Sequence, residues 1–360
     1  MTVYYFIGFW SVITGSIFIL KNRNLSKKIF LLLNFIPIIF IAGFRDITNG
    51  RDTFMYVNIY NTIKDTDWNY IFDVIPRIDK GYLLINKLIS LLNVDYTGFF
   101  LIISFITYIS LAIFFYKYSS NVWMSVYLFI TNLYIYDPFN IIRQMLALSV
   151  ILIGLDLFFK EKYKYFILVI IIASTIHLSA FLFLLLLLFK VKNNSINNLI
   201  IKWIVVVFCV IGLVFLFKPL LSMIDTYSYI INNIVVDDLK FGFLRNCIYA
   251  LFPLVLMLYG LINNIYIKEE EKYVYLLLNM SFFFLVINIL SYTVAGMFSR
   301  LASYYQIFIC LAIPLSLKIF SKNVRMMINI LILLCWGIYY YYYLNMQHNS
   351  DLIQEYLLSI

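Results

Sequence analysis

Long apolar blocks separated by short polar breaks dominate the chain. A membrane-spanning helix needs about 20 consecutive apolar residues. Blocks near that length fall at 3–20, 29–44, 97–116, 122–136, 141–159, 166–189, 199–217, 246–262, 273–292, 301–320 and 326–344. A shorter stretch, Tyr82 to Leu92, predicts an interfacial or re-entrant helix. The pattern predicts an all-α polytopic transmembrane helix bundle of about 11–12 membrane segments, a single integral membrane domain over 1–360. The opening MTVYYFIGFW lacks a basic n-region and a small-residue cleavage site, so it reads as a first helix rather than a signal peptide. The Tyr run 339–343 is an aromatic helix end of the kind found at membrane interfaces. No internal repeat or low-complexity linker interrupts the series.

Composition agrees: 64% of residues are hydrophobic and 12% charged, against about 25% charged in soluble domains. The net charge of +9 first suggests nucleic acid. The basic residues are scattered over short loops, however, and anionic lipid headgroups with membrane topology explain them better. Cys209, Cys247, Cys310 and Cys335 lie far apart in apolar runs and read as small membrane-embedded side chains. The chain holds no GxxxxGK[ST] phosphate loop and no CxxC or HExxH motif. No metal and no cofactor are expected. ATP-driven transport and nucleotide-sugar chemistry are disfavoured.

Charge sets a direction. The turn KNRNLSKK at 21–28 should be cytoplasmic, and the basic groups near 117, 160–164, 190–202, 268–272 and 318–325 want the same side. Residues 160–164 and 190–192 are both basic, yet one apolar run, 166–189, separates them. Two halves of 12 residues reach only about 18 Å each at 1.5 Å per residue. The middle of the run is STIHLSA, which predicts a short-helix hairpin with His177 near its outward apex. Both termini then face outward. On that topology 14 of 19 lysines are cytoplasmic, but of eight arginines only Arg23 and Arg325 are. Arg45, Arg51, Arg77, Arg143, Arg245 and Arg300 fall on the outer side, against the topogenic bias.

Those arginines need another reason. Arg143, Arg245 and Arg300 stand where helices are predicted to begin. A guanidinium is a planar, permanently charged, bidentate donor suited to phosphate, and helix N-termini add partial positive charge. A diphosphate at the outer leaflet is the ligand such a group fits, although a single arginine there can also simply snorkel. The outer loops 45–95 and 218–245 carry the remaining candidates. Asp52 either acts as a base or positions an arginine; Tyr56 and Tyr60 follow at helical spacing. Asp79 precedes Gly81 and Tyr82 in RIDKGYLLINKL, and Asp225, Tyr227, Asp237 and Asp238 lie in the second loop. Tyrosines and acids of this kind line carbohydrate sites, by stacking on sugar faces and binding hydroxyls. His177 interrupts an apolar run. An ionisable group at depth is costly and is a functional candidate by default, and imidazole is a natural base near neutral pH. A hydrogen-bonded structural histidine is the plainer alternative.

Taken in order, Arg45–(x4)–Gly50–Arg51–Asp52–Thr53–(x2)–Tyr56, then DKGY, IIRQMLALSVIL, IHLSA and SRLASYYQIFICLAIP resemble the Wzy-type polysaccharide polymerases of the EpsG-like family. The resemblance runs from about 40 to 314, and 218–245 matches nothing in it. It implies a metal-independent, inverting glycosyltransferase. Such an enzyme moves a growing glycan from undecaprenyl diphosphate to the non-reducing end of a lipid-linked repeat unit, at the outer face of the bacterial cytoplasmic membrane. The matching positions are Arg45, Arg51, Asp52, Arg143, Gln144, His177 and Arg300, with Tyr56 and Tyr304 as the aromatic ones. Asp79 stands where glutamate is commoner in the family. On this reading His177 or Asp52 is expected to act as the base, and Arg143 and Arg300, with Arg45 or Arg51, to hold the diphosphate. Arg45, Arg51, Tyr56, Asp79, Gln144, Arg245 and Tyr304 are the substrate-binding candidates. The implied partners are the lipid-linked oligosaccharide, membrane lipids and a chain-length regulator, and no nucleic acid. O-antigen, capsule and exopolysaccharide remain equally open as products. Two other classes stay in view: a flippase or transporter of the lipid-linked unit, and a membrane acyltransferase acting on surface glycan.

Overall fold

The computed structural model describes residues 2–19, 24–50, 52–189, 196–222, 236–293 and 298–346. Arg51 and the stretch 223–235, with Asp225 and Tyr227, lie outside the described residues, as do the side chains of Asp237 and Asp238. The fold is helical throughout, with no strand among the described residues. Among the described residues, seven helices are long and apolar enough to cross a membrane, and five shorter apolar helices accompany them. The chain divides into two compact units, Met1–Phe183 with Lys322–Ile360, and Leu184–Ser321.

The first unit contains α1 (Thr2–Ile19), α2 (Asn24–Gly43), α3 (Thr53–Asp65), α4 (Lys80–Ser90), α5 (Tyr96–Tyr118), α6 (Val122–Thr131), α7 (Asp137–Asn140), α8 (Ile142–Phe159), α9 (Tyr163–Ile176) and, from the far end of the chain, α14 (Lys322–Met346). Its core is aromatic. Phe35 of α2, Phe115 of α5 and Phe129 of α6 pack with ring centroids 5.7–6.1 Å apart. Helices in lipid gain nothing from hydrophobicity alone, so small residues and polar side chains join them. Asn34 donates to the Thr14 hydroxyl at 3.0 Å, tying α2 to α1. A Cβ on Gly43 would sit 2.8 Å from the Leu101 Cα, so only glycine lets α2 and α5 approach this closely. The tyrosines of α14 serve the first unit: Tyr340 donates to the Tyr4 carbonyl at 2.7 Å, while Tyr341 faces outward.

The segment 45–95 carries short helices as expected. The last carbonyls of α3 are closed by Lys87 of α4, whose ammonium donates to Ile63, Lys64 and Thr66. Tyr60 and Lys64 both reach the Val94 carbonyl, at 2.9 and 3.0 Å. One face of α4 buries Tyr82, Leu83, Asn86 and Lys87. Its exposed Leu84 and Leu88 continue into Leu91 and Leu92, an apolar stripe that suits the interfacial placement read from the sequence.

One boundary differs from expectation and one agrees with it. The segment 122–136 is not one helix: α6 ends at Thr131, Leu133 turns into the left-handed region (φ 69°), and a 3-10 turn at Tyr134–Tyr136 leads into α7. Ten residues at 1.5 Å each reach only about 15 Å, short of a full span. The run 166–189 does break at His177, which is extended (φ −153°, ψ 116°) between α9 and a 3-10 helix at Leu178–Phe189. A 3-10 run of 12 residues is unusual, because its side chains eclipse every third position.

The second unit contains the end of that 3-10 helix and α10 (Ile196–Ser222), α11 (Val236–Ile262), α12 (Lys268–Thr293) and α13 (Phe298–Ser316). α13 packs on α12 and α11, and Trp203 of α10 donates to Asn279 of α12 at 2.8 Å. Lys318 pairs with Glu270 at one end.

Candidate active site

Three residues distant in sequence meet in the first unit. Asp79 precedes α4, Arg143 lies in the first turn of α8, and His177 caps α9. The Arg143 guanidinium donates through Nη1 to Asp79 Oδ2 at 2.8 Å. His177 Nδ1 lies 3.4 Å from the same oxygen. The side chains are 20%, 21% and 26% exposed for Arg143, Asp79 and His177, so the cluster can be reached from outside the bundle.

Local sequence explains the meeting. Asp79 occupies the N-cap position of α4, yet its carboxylate makes no cap hydrogen bond and turns instead to Arg143 and His177. Gly81 permits the approach. A Cβ there would stand 2.6 Å from the Thr175 carbonyl oxygen, so any side chain would push α4 away from the end of α9. His177 follows on an extended backbone at the end of α9, and its Nδ1 comes within 3.4 Å of the Asp79 carboxylate.

Tyr56 of α3 is buried beside Arg143. Burial raises the pKa of its hydroxyl; the neighbouring guanidinium opposes that shift and Asp52 adds to it. Asp52 is the N-cap of α3, again without a side-chain cap bond. The turn before it depends on Gly50, whose φ of 98° disfavours any L side chain. Thr53 beneath it donates to the Asn49 carbonyl at 2.5 Å. Of the sequence candidates, Asp52, Tyr56, Asp79, Arg143 and His177 are therefore brought into one neighbourhood.

Other candidates sit elsewhere. Arg45 is 1% exposed. Its guanidinium lies over the Phe100 and Phe139 rings, at 4.0 and 5.0 Å, and donates to the Ala42 carbonyl. Gln144 is buried at 3% exposure in the core of α8. Arg245, Arg300 and Tyr304 belong to the second unit. Arg300 is exposed at the start of α13, and Tyr304 is fully buried one turn on. Arg245 is not at a helix start: α11 begins at Val236, so the free N–H groups of that terminus lie more than two turns away. Its guanidinium donates to Asn246 at 2.8 and 3.1 Å, and Asn246 donates to Asn288 of α12.

The sequence reading named Gly81 within the DKGY motif but missed its partner Thr175 and the close approach that the glycine allows. It also passed over one D-x-D triplet, Asp65–Thr66–Asp67. Both carboxylates there are exposed. Among the described residues no group of three or more His, Cys, Asp or Glu side chains comes together to hold a metal ion.

A multi-pass helical membrane protein with arginine, carboxylate and imidazole gathered at a part-exposed helix junction is the class this fold and site define. Residues 28–358 match the EpsG family, and the chain belongs to it. It is a polysaccharide-polymerase-like membrane protein. A search of curated proteins and a search of solved structures found no match to the chain.

Proposed function

We propose that the protein is a polysaccharide polymerase that transfers a growing glycan from undecaprenyl diphosphate to a lipid-linked repeat unit, at the outer face of the cytoplasmic membrane. The observation that supports this reading is the convergence of Arg143, Asp79 and His177 from three separate helices onto one oxygen. Arg143 offers a bidentate, permanently charged donor for the diphosphate and stabilises the charge that develops on it. His177 accepts the proton of the attacking sugar hydroxyl. The new bond joins that hydroxyl oxygen to the anomeric carbon of the donor. The bond from that carbon to the diphosphate oxygen breaks, and its electron pair leaves with undecaprenyl diphosphate. Displacement in one step inverts the anomeric centre. Asp52, the other carboxylate of the neighbourhood, is the competing base.

The test is a cell-free one. Purified protein with lipid-linked repeat units should yield a glycan ladder without ATP, nucleotide sugar or added metal. His177→Ala should abolish the ladder while Asp52→Asn retains part of it; the reverse order makes Asp52 the base. Movement of the unit across vesicles with no ladder at all would make the protein a transporter instead.

A further inference from the structure

Asp79 presents a single oxygen to two competing donors. Oδ2 receives Arg143 Nη1 at 2.8 Å and faces His177 Nδ1 at 3.4 Å, so the guanidinium holds the closer position and the imidazole stands at the outer limit of a hydrogen bond. The elements packed on α9 are α8 and α4. From them Arg143 and Asp79 face His177, and the adjoining Lys80 is exposed.

We infer that Asp79 is a positioning residue that couples arrival of the anionic donor to readiness of the base. The inference rests on the diphosphate reading of Arg143 given above. In the structure the Arg143 guanidinium pairs with the Asp79 carboxylate. A diphosphate offers the same guanidinium a more highly charged partner with the same bidentate geometry. As Arg143 turns to it, Oδ2 is released to accept the Nδ1–H of His177. An imidazole that carries its proton at Nδ1 presents Nε2 as the acceptor, the form a general base requires. The base is thus set only once the leaving group is in place. Thermodynamic linkage makes the effect reciprocal: removing the Asp79 carboxylate, which leaves Arg143 in place without its partner, strengthens anion binding.

The chain has two histidines, His177 and His348, so nitrogen-15 NMR of histidine-labelled full-length protein in lipid nanodiscs is readable, with His348→Gln used for assignment. Inorganic pyrophosphate is the probe, with its binding measured in parallel by calorimetry. Saturation is expected to raise the Nδ1–H fraction of His177. Arg143→Ala should show the raised fraction with no pyrophosphate present. Asp79→Asn should lose the response, bind pyrophosphate about tenfold more tightly, within the usual span of coupling between sites, and yet form less polymer. A purely structural Asp79 would not tighten binding. Arg143-dependent pyrophosphate binding with an unmoved His177 tautomer overturns the coupling and leaves the diphosphate reading standing. Absence of Arg143-dependent binding overturns both.

Discussion

Gly81→Ala tests the geometry most directly. The added Cβ would fall 2.6 Å from the carbonyl oxygen of Thr175, whereas ordinary contact begins at 3.4 Å. The obstacle includes backbone, so no side-chain rotation relieves it, and the start of α4 must withdraw from α9 by about 0.8 Å (3.4 − 2.6). Asp79 is two residues away on the same helix start. Its 3.4 Å separation from His177 Nδ1 already lies at the limit of a hydrogen bond, so the shift ends that contact. Overpacking of this kind costs about 1–3 kcal/mol of stability. A misplacement near 1 Å in a catalytic site costs about 100-fold in rate. Polymer length on gels, ladder formation in the cell-free assay and thermal unfolding in detergent together measure both effects. A Gly81→Ala protein with normal expression and a full-rate ladder would refute the claim that this approach sets the site.

Arg143→Lys keeps the charge and loses the fork, so ladder formation should fall by about 100-fold, the scale of a lost transition-state donor, with unfolding temperature nearly unchanged. Lys87→Met removes the ammonium that donates to three carbonyls at the end of α3. Thermal stability should drop by about 1.5–3 kcal/mol, the worth of a hydrogen bond to a charged group. Gly50→Ala forces a side chain into φ 98° beside Thr53 and Asn140, which should cost about 1–3 kcal/mol by unfolding measurements; it should lower activity through Asp52 and Tyr56 on the helix that follows.

Much of the fold was legible because a bilayer imposes a local rule. Length and hydrophobicity alone place α2, α5, α8, α12 and α14 to within a few residues of the blocks read from the chain. The break at His177 was legible for the same reason, since a polar residue interrupts an otherwise apolar run. The break after Thr131 was not. Leu133 is apolar, and nothing in its identity reveals a left-handed conformation. Nor was the true start of α11, because charges at Asp237, Asp238, Lys240 and Arg245 break up its apolar residues there and no continuous hydropathy signal forms.

The candidate site divides along the same line. Sequence by itself determined that arginines, a carboxylate and a histidine had to find partners in a low-dielectric bundle, where an isolated charge is costly. Tertiary structure decided which of them meet. Arg143 and Asp79 are 64 positions apart, Asp79 and His177 98 apart. In a membrane both the lipid side and the core side of a helix are apolar, so periodicity does not say which face meets which neighbour. That choice rests on close approaches such as Gly81 against Thr175. The same packing placed Arg45 against the Phe100 and Phe139 rings and made Asp79, which stands where glutamate is commoner in the family, the residue whose oxygen the other two meet.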